Sequence, residues 1–143
     1  MMPIFYPGNV QEILDLGRYA YEMSRYSGLW SGFKIVTDIA DAFGSAIVHP
    51  ERININIPDF QYNGQPWKHT QNAKLVGHHS LPTEKEIHLG RIEAAKHFLA
   101  CNNINKITVQ SDKDSIGIIT AGKTYYDIVE ALDSLGWDEA FLN

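Results

Sequence analysis

The sequence predicts an α/β chain of about three helices packed on a small mixed sheet. Two observations carry that expectation. Stretches 9–28, 83–102 and 123–136 place apolar residues at helical spacing between start and stop signals. Between them lie short apolar or alternating runs that have the length of strands rather than helices.

The first helix opens after Pro7-Gly8. Asn9 is a suitable N-cap, and Glu12 stands three residues on, where its carboxylate reaches back to the cap. Val10, Ile13, Leu14, Gly17, Ala20, Tyr21 and Ser24 describe one apolar or small face. Ser27-Gly28 is the stop, because glycine takes a positive φ without a Cβ clash. Leu29–Val36 then reads as a buried strand, residues 38–43 as a helical turn, and Ser45–Val48 as a short strand. In Arg52–Ile57 the isoleucines 53, 55 and 57 alternate with asparagines, the pattern of a strand with one wet face. Residues 58–82 read as a long linker with an Asn63-Gly64 turn signal, where Pro66 weakens a possible hairpin. Thr83 to Glu86 form a capping box for a helix running to about Asn102. Its inner face is Ile87, Ile92, Ala95, Phe98 and Leu99, with Glu86, Glu93, Lys96 and His97 opposite. Lys106–Val109 and Ile116–Thr120 are short strands, and Lys123–Leu135 is a helix ended by Gly136.

Bulk composition narrows the function classes. A length of 143 residues is one domain's worth of chain, and a hydrophobic share of 44% is that of a globular protein. Twelve Lys and Arg against 17 Asp and Glu leave a net charge of −5 with no basic cluster, which disfavours nucleic acid and anionic membranes as partners. The one cysteine, Cys101, forms no internal disulfide and fits a reducing, cytoplasmic setting. It is too few for an iron–sulfur cluster, which takes about four cysteine ligands. No apolar stretch approaches the roughly 20 residues of a membrane span.

One motif demands a chemical reading. GIITAGKT, Gly117 to Thr124, fits the phosphate-loop pattern letter for letter. Such a loop needs flexible residues whose N–H groups curl around phosphate. Here Ile118, Ile119 and Thr120 are β-branched and favour extended backbone, so only Ala121-Gly122 is expected to turn. A nucleotide binder through Gly117 to Thr124 is therefore the weakest of the alternatives. A smaller expectation survives: Gly122, Lys123 and Thr124 form a strand-to-helix turn that could hold a phosphate or carboxylate. Its competitor is that Gly122 permits close packing and Thr124 caps the helix. The adjacent His78 and His79 should diverge, and His88 and His97 fall on opposite sides of a helix, so neither pair spaces a metal site. Cys101 reads as a small buried hydrophobe. Tyr19, Tyr21, Tyr26, Trp30 and Tyr125-Tyr126 read as core or interface, with a cofactor cleft as the alternative. The residues supply no complete catalytic constellation.

Two stretches carry a resemblance. FYPGNVQEILDLGRYAYEMSRYSGLWSGFKIVTDIAD (5–41) and IGIITAGKTYYDIVEALDSLG (116–136) resemble, in the same order, segments of the long-chain indolepyruvate ferredoxin oxidoreductases. Those enzymes use thiamine diphosphate with Mg²⁺, iron–sulfur clusters and coenzyme A. They oxidatively decarboxylate aryl 2-oxoacids to acyl-CoA and pass the electrons to ferredoxin. The resemblance implies that residues 1–57 end a pyrimidine-binding-type domain, 58–82 link, and 83–143 begin a transketolase C-terminal-like domain. The family's G-D-G motif for the cofactor diphosphate does not occur here. The resemblance thus implies an internal, non-catalytic portion of such an enzyme, binding no cofactor alone and having the remaining domains as partners. Exposed apolar surface would then make self-association possible. The alternative is a stand-alone α/β interaction module without cofactor.

Overall fold

The computed structural model describes residues 2–71, 76–110 and 115–137. The chain opens with β1 (Ile4–Phe5), which the sequence reading did not foresee. After it comes α1 (Val10–Ser27), and then β2 (Gly32–Phe33) returns parallel to β1, with Ile4 opposite Gly32 and Phe5 opposite Phe33. A parallel pair needs a crossover of a dozen residues or more, and α1 supplies it. Both ends of α1 follow from local chemistry. The Asn9 side chain accepts from the Glu12 N–H at 2.8 Å. Glu12 reaches back one residue further than the cap, accepting from the Gly8 N–H at 2.7 Å. At the other end Gly28 takes φ 78° and returns its N–H to Ser24 O.

The core lies between α1 and a compound helix. That helix begins with a 3₁₀ turn (Gly77–His79) and α3 (Ser80–Glu86), widens through a π turn (Ile87–Arg91) and ends as α4 (Ile92–Cys101). Its start is earlier than the predicted capping box. Thr83 lies inside α3, where its hydroxyl donates to His79 O, and Ser80 donates to Gly77 O at the true start. Phe5, Ala20, Met23, Leu29, Ala95 and Phe98 form one buried cluster, with Leu16, Tyr19, Tyr26, Ile87, Ile92 and Leu99 packed around it. The helices therefore pack mainly on each other, and the sheet is reduced to two small two-stranded pieces. The inward face of α1 is also rotated from the predicted one. Ala20 is buried, but Leu14 and Tyr21 are exposed and Gly17 faces open space. Met23 and Ser27, both fully enclosed, complete the inner stripe instead.

Several predicted strands are absent as ladders among the described residues. Leu29–Val36 pairs only at Gly32–Phe33, while 45–48, 52–57, 106–109 and 116–120 join no sheet. Side chains have taken over the ladder's work along 47–58. The Gln11 amide brackets Ile47, accepting from its N–H at 2.7 Å and donating to its O at 3.3 Å. Asn102 brackets Asn56 in the same way, at 2.8 Å on both sides. Asp15 pairs with Arg52, Arg18 donates to Pro50 O, and Tyr26 donates to Pro58 O. Gln11, Asp15, Arg18 and Tyr26 share one side of α1, so a polar stripe on the helix fastens this strap.

The hairpin forms despite Pro66, as β3 (Gln61–Tyr62) and β4 (Gln65–Pro66). Asn63 and Gly64 both take positive φ, 53° and 74°, as a type I′ turn requires. Pro66 lies opposite Gln61, while the ladder bond falls one residue later, from Trp67 N–H to Phe60 O at 2.8 Å. Its missing donor is therefore not needed there. The hairpin presents Trp67 to the compound helix. Its indole ring occupies the space that a side chain at Gly90 would need, and its N–H donates to Tyr26 O.

The last element is α5 (Lys123–Ser134), preceded by the predicted short helix α2 (Thr37–Ala40) near the middle of the chain. Gly136 at φ 75° ends α5 as expected. The Trp137 N–H reaches Leu132 O and the Gly136 N–H reaches Asp133 O, both at 2.9 Å. Replacing Phe98 with Ala should cost about 3–5 kcal/mol in urea unfolding, as a fully buried aromatic does. Asn102→Ala should cost about 1 kcal/mol, because the exposed Asn56 N–H turns to water and its O keeps the Cys101 thiol. A cost for Phe98→Ala no larger than that of Asn102→Ala would place the core elsewhere.

Candidate functional site

The densest polar arrangement joins the N-termini of α1 and α5. Gly8 and Gly122 bring two backbones into contact: a Cβ on Gly8 would stand 2.5 Å from the Tyr126 ring and 2.6 Å from Gly122 O. A Cβ on Gly122 would run into the ring of Tyr6. Gly122 also takes φ 61° and ψ −139°, a backbone state that β-carbons resist. Only glycine satisfies both positions.

Across this contact the Tyr126 hydroxyl is clasped from α1. It donates to Glu12 Oε1 at 2.5 Å and accepts from Asn9 Nδ2 at 2.6 Å. Glu12 uses its other oxygen for the Gly8 N–H, so one carboxylate ties the α1 cap to α5. Burial first, and then the bond to Glu12, push the Tyr126 phenol far above its ordinary pKa. The phenol therefore stays protonated, donating to Glu12 while it accepts from Asn9. Lys123 lies alongside. Its ammonium stands 2.5 Å from Asp127 and 3.8 Å from Asp38, and the bond to Asp127 raises its pKa. Lys34 lies 4.4 Å over the Tyr6 ring, closing the cluster with a cation–π contact.

The structure thus brings Gly122, Lys123 and Thr124 to this junction, with a particular geometry. Gly122 is the N-cap of α5 and contributes no side chain, while Thr124 is exposed in the first turn, so the expected Thr124 cap does not form. The close packing of Gly122 is present. From 115 to 121 no residue has a positive φ, so the alternating backbone that builds an anion nest is missing from this part of Gly117 to Thr124. Most of the polar SDKDS run before it, residues 111–114, lies outside the described residues. Beside the junction an open cleft of about 340 Å³ is lined by Gly8, Asn9, Gln11, Ile39 and Phe43.

The remaining candidates disperse. Tyr19 and Tyr26 pack on the core, whereas Tyr21 and Trp30 are exposed, so the tyrosines line no common cleft. His78 and His79 do not diverge. The 3₁₀ turn places their rings 4.1 Å apart. His97 stacks on Phe60 at 4.8 Å. Among the described residues no group of three His, Cys, Asp or Glu could hold a metal ion. Cys101 is exposed rather than buried. Its thiol donates to Asn56 O and Phe98 O, and partial desolvation raises its pKa, which disfavours the thiolate. No described helix is long and apolar enough to cross a membrane.

Sequence reasoning missed the partnership of Glu12, Asn9 and Tyr126. The Asn9-to-Glu12 spacing was legible as a cap, but nothing local announces a phenol arriving from the far end of the chain. No protein-family model matches the chain, and no curated protein or solved structure matches it.

Tyr126→Phe removes both bonds of the clasp and should cost about 1–2 kcal/mol. Amide exchange in α5 should quicken more than in α4, as hydrogen-exchange mass spectrometry reads. A second expectation concerns alkaline pH. The folded phenol titrates above the unfolded value of 10.0, so its stabilising contribution is complete below that pH and is lost as pH rises beyond it. Stability of the parent chain should fall through that range more steeply than that of Tyr126→Phe. Parallel curves would show that the phenol is not held by Glu12.

Proposed function

We propose that this chain is a non-catalytic, protein-docking portion of a larger enzyme. The observation that carries the reading is surface. A folded monomer of 16.1 kDa is expected to expose about 7,400 Å², whereas this chain exposes 10,725 Å². Exposed apolar side chains gather on two helices. Helix α5 is amphipathic yet buries no residue, leaving Val129 and Leu135 47% and 71% exposed. On α1, Ile13, Leu14, Gly17 and Tyr21 join Ile55 around an open groove of about 420 Å³. Faces built this way fit contact with more protein better than contact with water.

The parent enzyme we propose is a thiamine diphosphate-dependent indolepyruvate:ferredoxin oxidoreductase. Its whole form would decarboxylate an aryl 2-oxoacid, pass the acyl group to coenzyme A and send electrons to ferredoxin. The likeness of residues 5–41 and 116–136 supports this reading. Those stretches contribute α1, β2 and α2 on one side and α5 on the other, and they meet at the Glu12–Tyr126 clasp. In that setting the chain would shape a wall beside the cofactor and dock the remaining domains. An anion at Gly122, Lys123 and Thr124 would have to compete with Asp127 and Asp38 for the ammonium.

Calorimetry tests the absence of a cofactor site. Neither thiamine diphosphate–Mg²⁺ nor ATP–Mg²⁺ should give binding heat with the isolated chain. ATP affinity abolished by Lys123→Ala would replace this reading with nucleotide binding. The docking role has its own check. Val129→Lys with Leu135→Lys should leave stability within about 0.5 kcal/mol of the parent chain, as surface changes do. A loss of several times that size would show that the face belongs to the chain's own core.

A further inference from the structure

The run Ser115–Thr120 is unlike the two exposed helix faces. It carries no charged residue, in a chain of net charge −5. Ile116, Ile118 and Ile119 are 77%, 58% and 102% exposed. Among the described residues none of the six makes a hydrogen bond, and the enclosed Thr120 Oγ1 has no partner. An isoleucine-rich run with open backbone donors and acceptors is a template for strand pairing.

The geometry points to a second copy of this chain as the occupant, paired antiparallel about a two-fold axis at Ile118. Two features single out that partner. Two chains of like net charge can approach most closely where neither brings a charge, and this run is such a place. The run is also self-complementary in that register. Ile118 crosses itself, Ile116 crosses Thr120, and Ile119 crosses Gly117, around whose missing Cβ there is open space. Each bulky residue on that face thus meets a glycine, whereas parallel pairing in register would set Ile119 on Ile119. The pairing is independent of the docking reading, because the outer faces of α1 and α5 lie outside the run.

The test uses the full chain carrying Cys101→Ser. Sedimentation equilibrium should show a monomer–dimer equilibrium. Ile119→Lys should weaken it by about tenfold or more, because two-fold symmetry introduces each charge twice. Cysteines introduced singly then report the register under mild oxidation. Ile118→Cys should form a disulfide-linked dimer with itself. Ile116→Cys and Thr120→Cys should crosslink when mixed and not alone. Circular dichroism checks that each variant is folded, and the cysteine pattern decides the matter even where the lysine variant is not. A monomer at every accessible concentration would overturn the inference. So would equal crosslinking at all three positions, or a dimer indifferent to folded Ile119→Lys.

Discussion

Everything ordered in this molecule depends on the contact between α1 and α4. Met23 and Phe98 are fully enclosed there, and Ala20 and Ala95 are small enough to let the two helices approach. Burying one large aliphatic or aromatic side chain is worth about 1.5–3 kcal/mol, so a few such residues set the balance in a core this small. The parallel strand pair adds Phe5 to the same cluster, stacked on Phe33 with ring centroids 6.5 Å apart. Residues from 5 to 29 and from 95 to 98 therefore share one core, with the hairpin and its flanks laid across them.

The polar interactions are arranged around that contact. Arg91 is the clearest case. Its guanidinium donates to Gly28 O and Thr70 O and pairs with Glu86, tying the end of α1, the segment after the hairpin and the compound helix together. A fork of rigid donors suits this three-way role better than a single ammonium. His69 adds a bond from Nε2 to Arg25 O, which fixes that nitrogen as the protonated one. Along one side of α1, Gln11, Asp15, Arg18 and Tyr26 hold residues 47–58. The outcome is a chain whose backbone polar groups are widely satisfied by side chains, with few strand ladders.

Much of this was legible in the sequence, and the failures share a cause. Asn9, Glu12 and Gly28 announced α1, Asn63-Gly64 announced the hairpin, and Gly136 announced the end of α5, because each acts over a few residues. The strand readings at 45–48, 52–57 and 116–120 rested on β-branched residues and alternation. Those features describe a half-buried surface and not the presence of a neighbour to bond. Ile53 and Ile55 do turn inward in alternation with exposed asparagines, yet Asn102 supplies the hydrogen bonds. The junction of α1 and α5 was half legible: Gly122 and Lys123 stood out through the phosphate-loop pattern, and Glu12 through capping. Their meeting depends on a bond between residues 114 apart in sequence, which no local pattern encodes.

The widened turn at Ile87–Arg91 reconciles two helices whose azimuths would otherwise disagree. The Ile92 N–H reaches back to Ile87 O, so this turn holds one residue more than its neighbours. Excising a single residue there would restore even winding, but it would swing everything upstream by about 100° around the axis. Ala95 and Phe98 would keep their seats, while Glu86 would turn away from Arg91. The bulge is thus a vernier: it sets the phase between the half of the rod that fills the interior and the half that grips the chain's outer wrapping.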